Sequence, residues 1–185
     1  MGQETEKQKL SNLFPSHHLW LMPSDKIYDH LVTIIKGFSE KYEGPFFEPH
    51  VTLFGFLPGT QEEIMAHCFA LAKTLQPFDI RLTDLGYQDT YFQCLYLNVD
   101  GTAEIMEANS QARRIFQSSR SSEFTPHLSL LYGDYPTAFK DQIISSLGKD
   151  LRFRFDITEI HLIRAESEDP KQWTKIQRFQ LVRNS

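Results

Sequence analysis

The feature that most constrains this chain is a seven-residue pattern that occurs twice. Residues 47–53 read Phe47-Glu48-Pro49-His50-Val51-Thr52-Leu53, and residues 124–130 read Phe124-Thr125-Pro126-His127-Leu128-Ser129-Leu130. Both are Phe-x-Pro-His-apolar-Ser/Thr-Leu. Side chains of a strand alternate between its faces. A strand through either copy therefore puts imidazole and hydroxyl on one face, His50 with Thr52 and His127 with Ser129. The aliphatics Val51, Leu53, Leu128 and Leu130 go to the other. Each copy follows a strand-and-helix pattern, so the chain reads as two related halves. If a pseudo-twofold axis relates them, the two imidazole–hydroxyl pairs face each other across a groove.

The remaining sequence supplies elements to carry such halves. Residues 17–22 read as a short strand closed by Pro23. Residues 25–42 are predicted helical from the spacing of Ile27, Leu31, Ile34, Ile35 and Phe38, with Ser24 or Asp25 as cap. A strand over 51–57 ends at Pro58-Gly59. Thr60-Gln61-Glu62-Glu63 is a capping box opening a second helix to about Gln76. Strands are predicted over 78–85 and 91–99, a third helix over 103–117, a strand over 128–132 and a fourth helix over 136–148. Two long strands, 151–164 and 173–182, finish the chain, separated by the polar segment 166–171, whose length and polarity suit a lid. At least one pair of strands reads as a hairpin, so the expected class is α+β with mostly antiparallel pairing. No linker interrupts the pattern, and residues 1–185 are expected to form one domain, with residues 1–12 a flexible tail.

Two imidazoles and two hydroxyls converging on one point suit phosphodiester hydrolysis without a metal. A neutral histidine takes a proton from attacking water while a protonated one donates to the leaving alkoxide. Histidine serves both roles because its ordinary pKa lies near neutrality. The hydroxyls hold the non-bridging oxygens. One His-x-Ser/Thr on a strand is a common packing pattern. Two copies matching over seven positions point to shared chemistry. A metal site would need a third ligand at a fixed spacing, and none is evident, so neither metal nor cofactor is expected. His17, His18, His30, His67 and His161 lack such a context and are expected at the surface or in packing.

Composition narrows the substrate. The net charge is −5 and the basic residues are scattered. A protein gripping a long nucleic acid carries a basic stripe, so a small phosphate ester is expected instead. Cys68 and Cys94 are too few for a disulfide framework and are expected as buried thiols. No apolar run is long enough to span a bilayer and the first ten residues do not read as a secretory signal, so a cytoplasmic monomer is expected.

These residues resemble the signature of the two-histidine (2H) phosphoesterases. The chain is more narrowly similar to their cyclic phosphodiesterase branch, typified by a plant enzyme of tRNA-splicing by-product metabolism. The similarity runs through Trp20 ahead of Met22-Pro23, Pro49-His50-Val51-Thr52, Phe92-Gln93-Cys94, the run 126–132 and Trp173-Thr174. It implies a bilobal fold of two antiparallel sheets related by a pseudo-twofold, with helices outside and the groove between. It also implies a hydrolase opening ADP-ribose 1″,2″-cyclic phosphate to the 1″-phosphate and nucleoside 2′,3′-cyclic phosphates to 2′-phosphates. In that reading His50 and His127 are the acid–base pair, Thr52 and Ser129 bind phosphate, and Tyr132 joins the site. Trp20 and Phe92 lie against base or ribose. Alternation alone would put Tyr132 on the wrong face, unless the strand ends or twists near Gly133. The halves leave open which histidine is the base; for a 2′-phosphate product the expectation is His127 as base and His50 as acid. An RNA-end 2′,3′-cyclic phosphodiesterase and a non-catalytic nucleotide-binding module are the alternatives.

Overall fold

The computed structural model describes residues 13–118, 123–147 and 151–183, so the stretch expected to be a flexible tail lies outside the described residues. Strands β1 (Ser16–Leu21), β2 (Val51–Gly55), β3 (Phe78–Gly86), β4 (Leu95–Val99), β5 (His127–Leu131), β6 (Phe153–Ile157), β7 (Glu159–Ala165) and β8 (Trp173–Gln180) alternate with four helices. These are α1 (Asp25–Tyr42), α2 (Gln61–Thr74), α3 (Ala103–Ile115) and α4 (Thr137–Leu147). The class is α+β, as expected. Every strand pairing is antiparallel.

The strand order is β6-β3-β4-β5-β2-β1-β7-β8. The two expected four-stranded halves are thus β6-β3-β4-β5 and β2-β1-β7-β8, joined into one sheet where β2 meets β5. The join pairs Val51 with Leu128, which are the same position of the two repeats. Equivalent residues facing each other across an antiparallel pair is what a local twofold axis through that pair requires. Packing obeys the same relation: α1, which precedes β2, lies on β5, and α3, which precedes β5, lies on β2. Leu31, Ile35 and Phe38 of α1 and Ile105, Ala108 and Ala112 of α3 are buried there with Val51, Leu53, Leu128 and Leu130. Full burial of each large aliphatic contributes about 1.5–3 kcal/mol. Asn109 donates to the Leu53 carbonyl at 2.6 Å and ties α3 to β2.

Local signals mostly hold. The Thr60–Glu63 capping box forms with both reciprocal bonds. Ser24 is the N-cap of α1, without a side-chain cap bond. Two strands differ from expectation. The predicted strand 91–99 begins instead as a 3-10 turn, Tyr91–Gln93, because Gln88 N–H donates to the Gln93 carbonyl at 2.8 Å and closes a loop before β4. The predicted strand 151–164 breaks at Thr158, and its parts separate, β6 pairing with β3 and β7 with β1. Both parts alternate in apolarity, so periodicity carries no mark of the change of partner. Among the described residues no helix is long and apolar enough to cross a membrane.

Candidate active site

A small irregularity of the sheet builds the site twice. β1 pairs Leu19 with Phe54 and then Trp20 with Thr52, so Leu53 is an extra residue on β2. β4 pairs Leu95 with Leu131 and then Tyr96 with Ser129, so Leu130 is the extra residue on β5. The leucine that closes each repeat is therefore a bulge, and bulges re-aim the side chains that follow. Leu53 and Phe54, like Leu130 and Leu131, both turn into the core. The next residue returns to the histidine face. In the second half that residue is Tyr132, which explains how it reaches the site against simple alternation; β5 has ended and Gly133 takes φ +149°. In the first half it is Gly55.

His50, Thr52, His127 and Ser129 line one cleft of about 660 Å³. Continuing the Val51–Leu128 register by one residue sets His50 across from Ser129 and Thr52 across from His127. Each imidazole is oriented by its own strand: Nδ1 of His50 donates to the Glu48 carbonyl at 2.6 Å, and Nδ1 of His127 to the Thr125 carbonyl at 2.9 Å. A carbonyl only accepts, so Nδ1 holds the proton in both neutral rings and the lone pair sits on Nε2, on the opposite edge.

The two rings differ in surroundings. His50 is buried and stacked on Trp20, ring centroids 3.6 Å apart and nearly parallel at 9°. Burial pushes its pKa from 6.5 down to about 3; the Glu48 carbonyl opposes this, and His127, His18 and Lys175 add to it. His127 meets Tyr96 at 5.0 Å and 54° and is also held below its ordinary pKa, chiefly by desolvation. Trp20 and Tyr96 are equivalents, each pairing with the hydroxyl residue of its half. The Ser129 hydroxyl donates to the Phe92 carbonyl at 2.9 Å and lies beside the Tyr132 phenol. Burial raises the Tyr132 pKa, so the phenol stays protonated.

The aromatic residues expected at the site, Trp20, Phe92 and Tyr132, all line the cleft. One face of Trp20 is covered by His50 and its edge meets Trp173 at 5.6 Å, so that face supports the imidazole. Phe92 lies edge-on to Tyr132 at 5.2 Å and tilted against Trp173 at 6.2 Å. Several lining residues were not expected at the site, Trp173, His18 and Gln93 among them. Trp173 stands between the halves, against Trp20, His50, Phe92 and Tyr132, its indole N–H bonded to the Ser167 carbonyl at 2.8 Å. His18 was expected as surface or packing, yet it lines the cleft, being two residues before Trp20 on the same face of β1. Gln93 follows Phe92 in the 3-10 turn. The segment 166–171 contributes Glu168 to the wall and is braced by Ser167 and Asp169 side-chain bonds to its own backbone. Among the described residues no group of three or more His, Cys, Asp or Glu side chains is arranged to hold a metal.

Residues 16–185 match the profile of the family described as cyclic phosphodiesterase-like protein. The chain belongs to that family. Among its curated relatives is a cyclic phosphodiesterase of Arabidopsis thaliana, 25% identical over a stretch covering 64% of this chain and 65% of the relative, a little under two thirds of its length. A 2′,3′-cyclic-nucleotide 3′-phosphodiesterase of Yarrowia lipolytica is 30% identical, covering 67% of this chain and 76% of the relative. Among solved structures, E. coli LigT complexed with 3′-AMP superposes with a TM-score of 0.66, covering 91% of this chain and 99% of LigT at 17% identity. That likeness establishes the 2H phosphoesterase fold for this family member.

Proposed function

We propose that the protein hydrolyses small cyclic phosphodiesters, opening nucleoside 2′,3′-cyclic phosphates to 2′-phosphates and ADP-ribose 1″,2″-cyclic phosphate to ADP-ribose 1″-phosphate. The observation that carries this reading is the pair of imidazoles with identical Nδ1 tethers, both presenting Nε2 to one cleft beside a strand hydroxyl. Water attacks phosphorus and gives its proton to one Nε2. The bond to the ring oxygen breaks, and the other Nε2–H protonates the departing alkoxide. One P–O bond forms and one breaks, and the pair of histidines ends with its protons exchanged.

Burial favours one division of labour. His50, with a pKa near 3, is the ring that stays neutral, which suits the base. His127 is the ring that takes up a proton beside an arriving phosphate, which suits the acid. This is the reverse of the split expected for a 2′-phosphate product. No lysine or arginine lines the cleft among the described residues, so the single negative charge of the reacting cyclic phosphate is met by imidazolium and neutral donors. That composition supports a small ester over an RNA end with its run of phosphates. The relatives named above act, by their names, on cyclic phosphodiesters, and LigT was crystallised with a mononucleotide.

The test is turnover of 2′,3′-cyclic AMP and of ADP-ribose 1″,2″-cyclic phosphate in EDTA, with products resolved by chromatography. His50→Ala and His127→Ala are each expected to lose about 10²–10⁴-fold. A nitrophenyl phosphodiester, whose leaving group needs no proton, is expected to restore rate to His127→Ala and not to His50→Ala. Rescue of His50→Ala alone would reverse the roles. Folded wild-type protein that opens neither ring would overturn the activity itself.

A further inference from the structure

The cleft presents a phosphate with an unequal set of donors. The Thr52 hydroxyl makes no hydrogen bond to another described residue, whereas the Ser129 hydroxyl already gives its proton to the Phe92 carbonyl. Asp134 and Glu168 offer only acceptors on the lining, and no lysine or arginine stands there. On the His127 side the repeat hydroxyl is thus engaged, and a donor beyond the Tyr132 phenol has to come from outside the repeat. Charge accumulates on the non-bridging oxygens as phosphorus goes five-coordinate, and preorganised donors aimed at that charge are a large source of rate.

Gln93 meets the need. Its carboxamide nitrogen stands 3.5 Å from His127 Nε2, the atom that handles the proton. It reaches there because residues 91–93 turn instead of extending. The turn is held by Gln93 N–H to the Thr90 carbonyl at 3.3 Å, by Gln88 N–H to the Gln93 carbonyl and by Gly133 N–H to the Tyr91 carbonyl at 3.0 Å. Behind it the ammonium of Lys140, 2% exposed, donates to the Gln88 carbonyl at 2.9 Å and to Asp89 at 2.6 Å. The amide is thus carried on a braced support, as a group that must not move during reaction requires. An amide also donates without adding positive charge. A lysine at this place would hold His127 neutral and remove the acid.

We infer that Gln93 is a catalytic residue of this site, its carboxamide N–H donating to the non-bridging phosphoryl oxygen beside His127 in place of the proton that Ser129 gives to Phe92. The inference rests on the phosphodiesterase reading above. Gln93→Ala, Gln93→Asn and Gln93→Glu are compared with wild type for kcat and KM on 2′,3′-cyclic AMP across pH, with melting temperature as a folding control. Gln93→Ala is expected to lose about 10²-fold in kcat, the usual loss for one such donor, with its melting temperature unchanged. Gln93→Glu is expected to be slower still, with its alkaline limb moved to higher pH because a carboxylate favours the imidazolium. Gln93→Asn, one methylene short, is expected to recover part of the rate. A kcat equal to wild type in Gln93→Ala, or a rise in KM alone, would overturn the assignment. Titration with inorganic phosphate reads the contact without turnover: about tenfold weaker binding is expected in Gln93→Ala, and equal binding overturns it. A wild type that binds phosphate and opens no ring would sink the parent reading while leaving this contact measurable.

Discussion

The halves of the cleft share a plan and differ in how much they close. Around His50 the ring is stacked on Trp20, flanked by Trp173 and buried except where it meets the cleft, and the post-bulge position is Gly55. Around His127 the neighbours are Tyr96 at a tilt and a polar amide, and the post-bulge position is filled by Tyr132, stacked on Phe47 at 3.7 Å. One repeat thus yields a buried imidazole that rests neutral, and the other an imidazole in reach of polar partners. Acid–base catalysis needs two groups of opposite protonation, and unequal burial of identical side chains is a direct route to it. The braces differ in the same sense. Glu48, whose carbonyl orients His50, receives Tyr28 at 2.6 Å and Lys175 at 2.8 Å on its half-exposed carboxylate. The turn beside His127 is anchored from inside the fold by Lys140.

If the difference matters, the two halves should fail differently. Among the repeat residues, the largest effect after the histidines is expected for Thr52→Val against Ser129→Ala. Thr52→Val removes a donor free to meet phosphate and should lose about 10–100-fold in kcat/KM with little change in melting temperature. Ser129→Ala leaves the Phe92 carbonyl unmet and should cost about 1 kcal/mol of stability with the smaller loss of rate. The opposite ranking, read from kinetics and thermal melts, would erase the proposed asymmetry.

The next effect concerns the brace of the second half. Asp89→Ala leaves the buried Lys140 ammonium with the Gln88 carbonyl but without its carboxylate, and should destabilise more than Lys140→Met, which leaves only a solvated carboxylate. Glu48→Gln keeps acceptor and shape in a half-exposed network and should shift stability by about 1 kcal/mol or less. Urea titration of the three variants checks the order.

Acid should weaken the fold through the first half. Folded His50 titrates near 3 and the unfolded residue near 6.5, so below 6.5 the unfolded chain binds a proton that the folded one refuses. The contribution is fully present above 6.5 and is lost as pH falls toward 3. Melting temperatures should decline through that window, with a shallower slope in His50→Gln. An equal slope would mean that His50 is not the group refusing the proton. Last and smallest, Gly55→Ala places a Cβ 2.9 Å from His18 Nδ1. It should displace that ring and raise KM, while leaving kcat near wild type.

Much of the site was legible because strand periodicity is a local property. Alternation put His50 with Thr52 and His127 with Ser129, and the doubled motif implied the twofold that the Val51–Leu128 pair displays. The capping box at Thr60 and the apolar stripe of α1 are equally local and appear where expected. His18 was also within reach, since it shares Trp20's face two residues earlier, but no repeat drew attention to it. Gln93 was hidden by a strand pattern that gives way to a turn, and Trp173 by its distance along the chain from Trp20, His50, Phe92 and Tyr132.

The amino-acid sequence by itself determined which side chains share a face, because alternation needs only neighbouring residues. Tertiary structure decided the rest, because it depends on contacts between segments far apart in the chain. The bulges at Leu53 and Leu130 exist only through pairing with β1 and β4, and they choose Gly55 and Tyr132 as the next residues on the cleft. The large downward shift of the His50 pKa comes chiefly from its burial, with His127, His18 and Lys175 adding to it, surroundings that the His127 ring does not share. Burial is a property of the assembled fold, and burial is what makes two copies of one motif into different chemical groups.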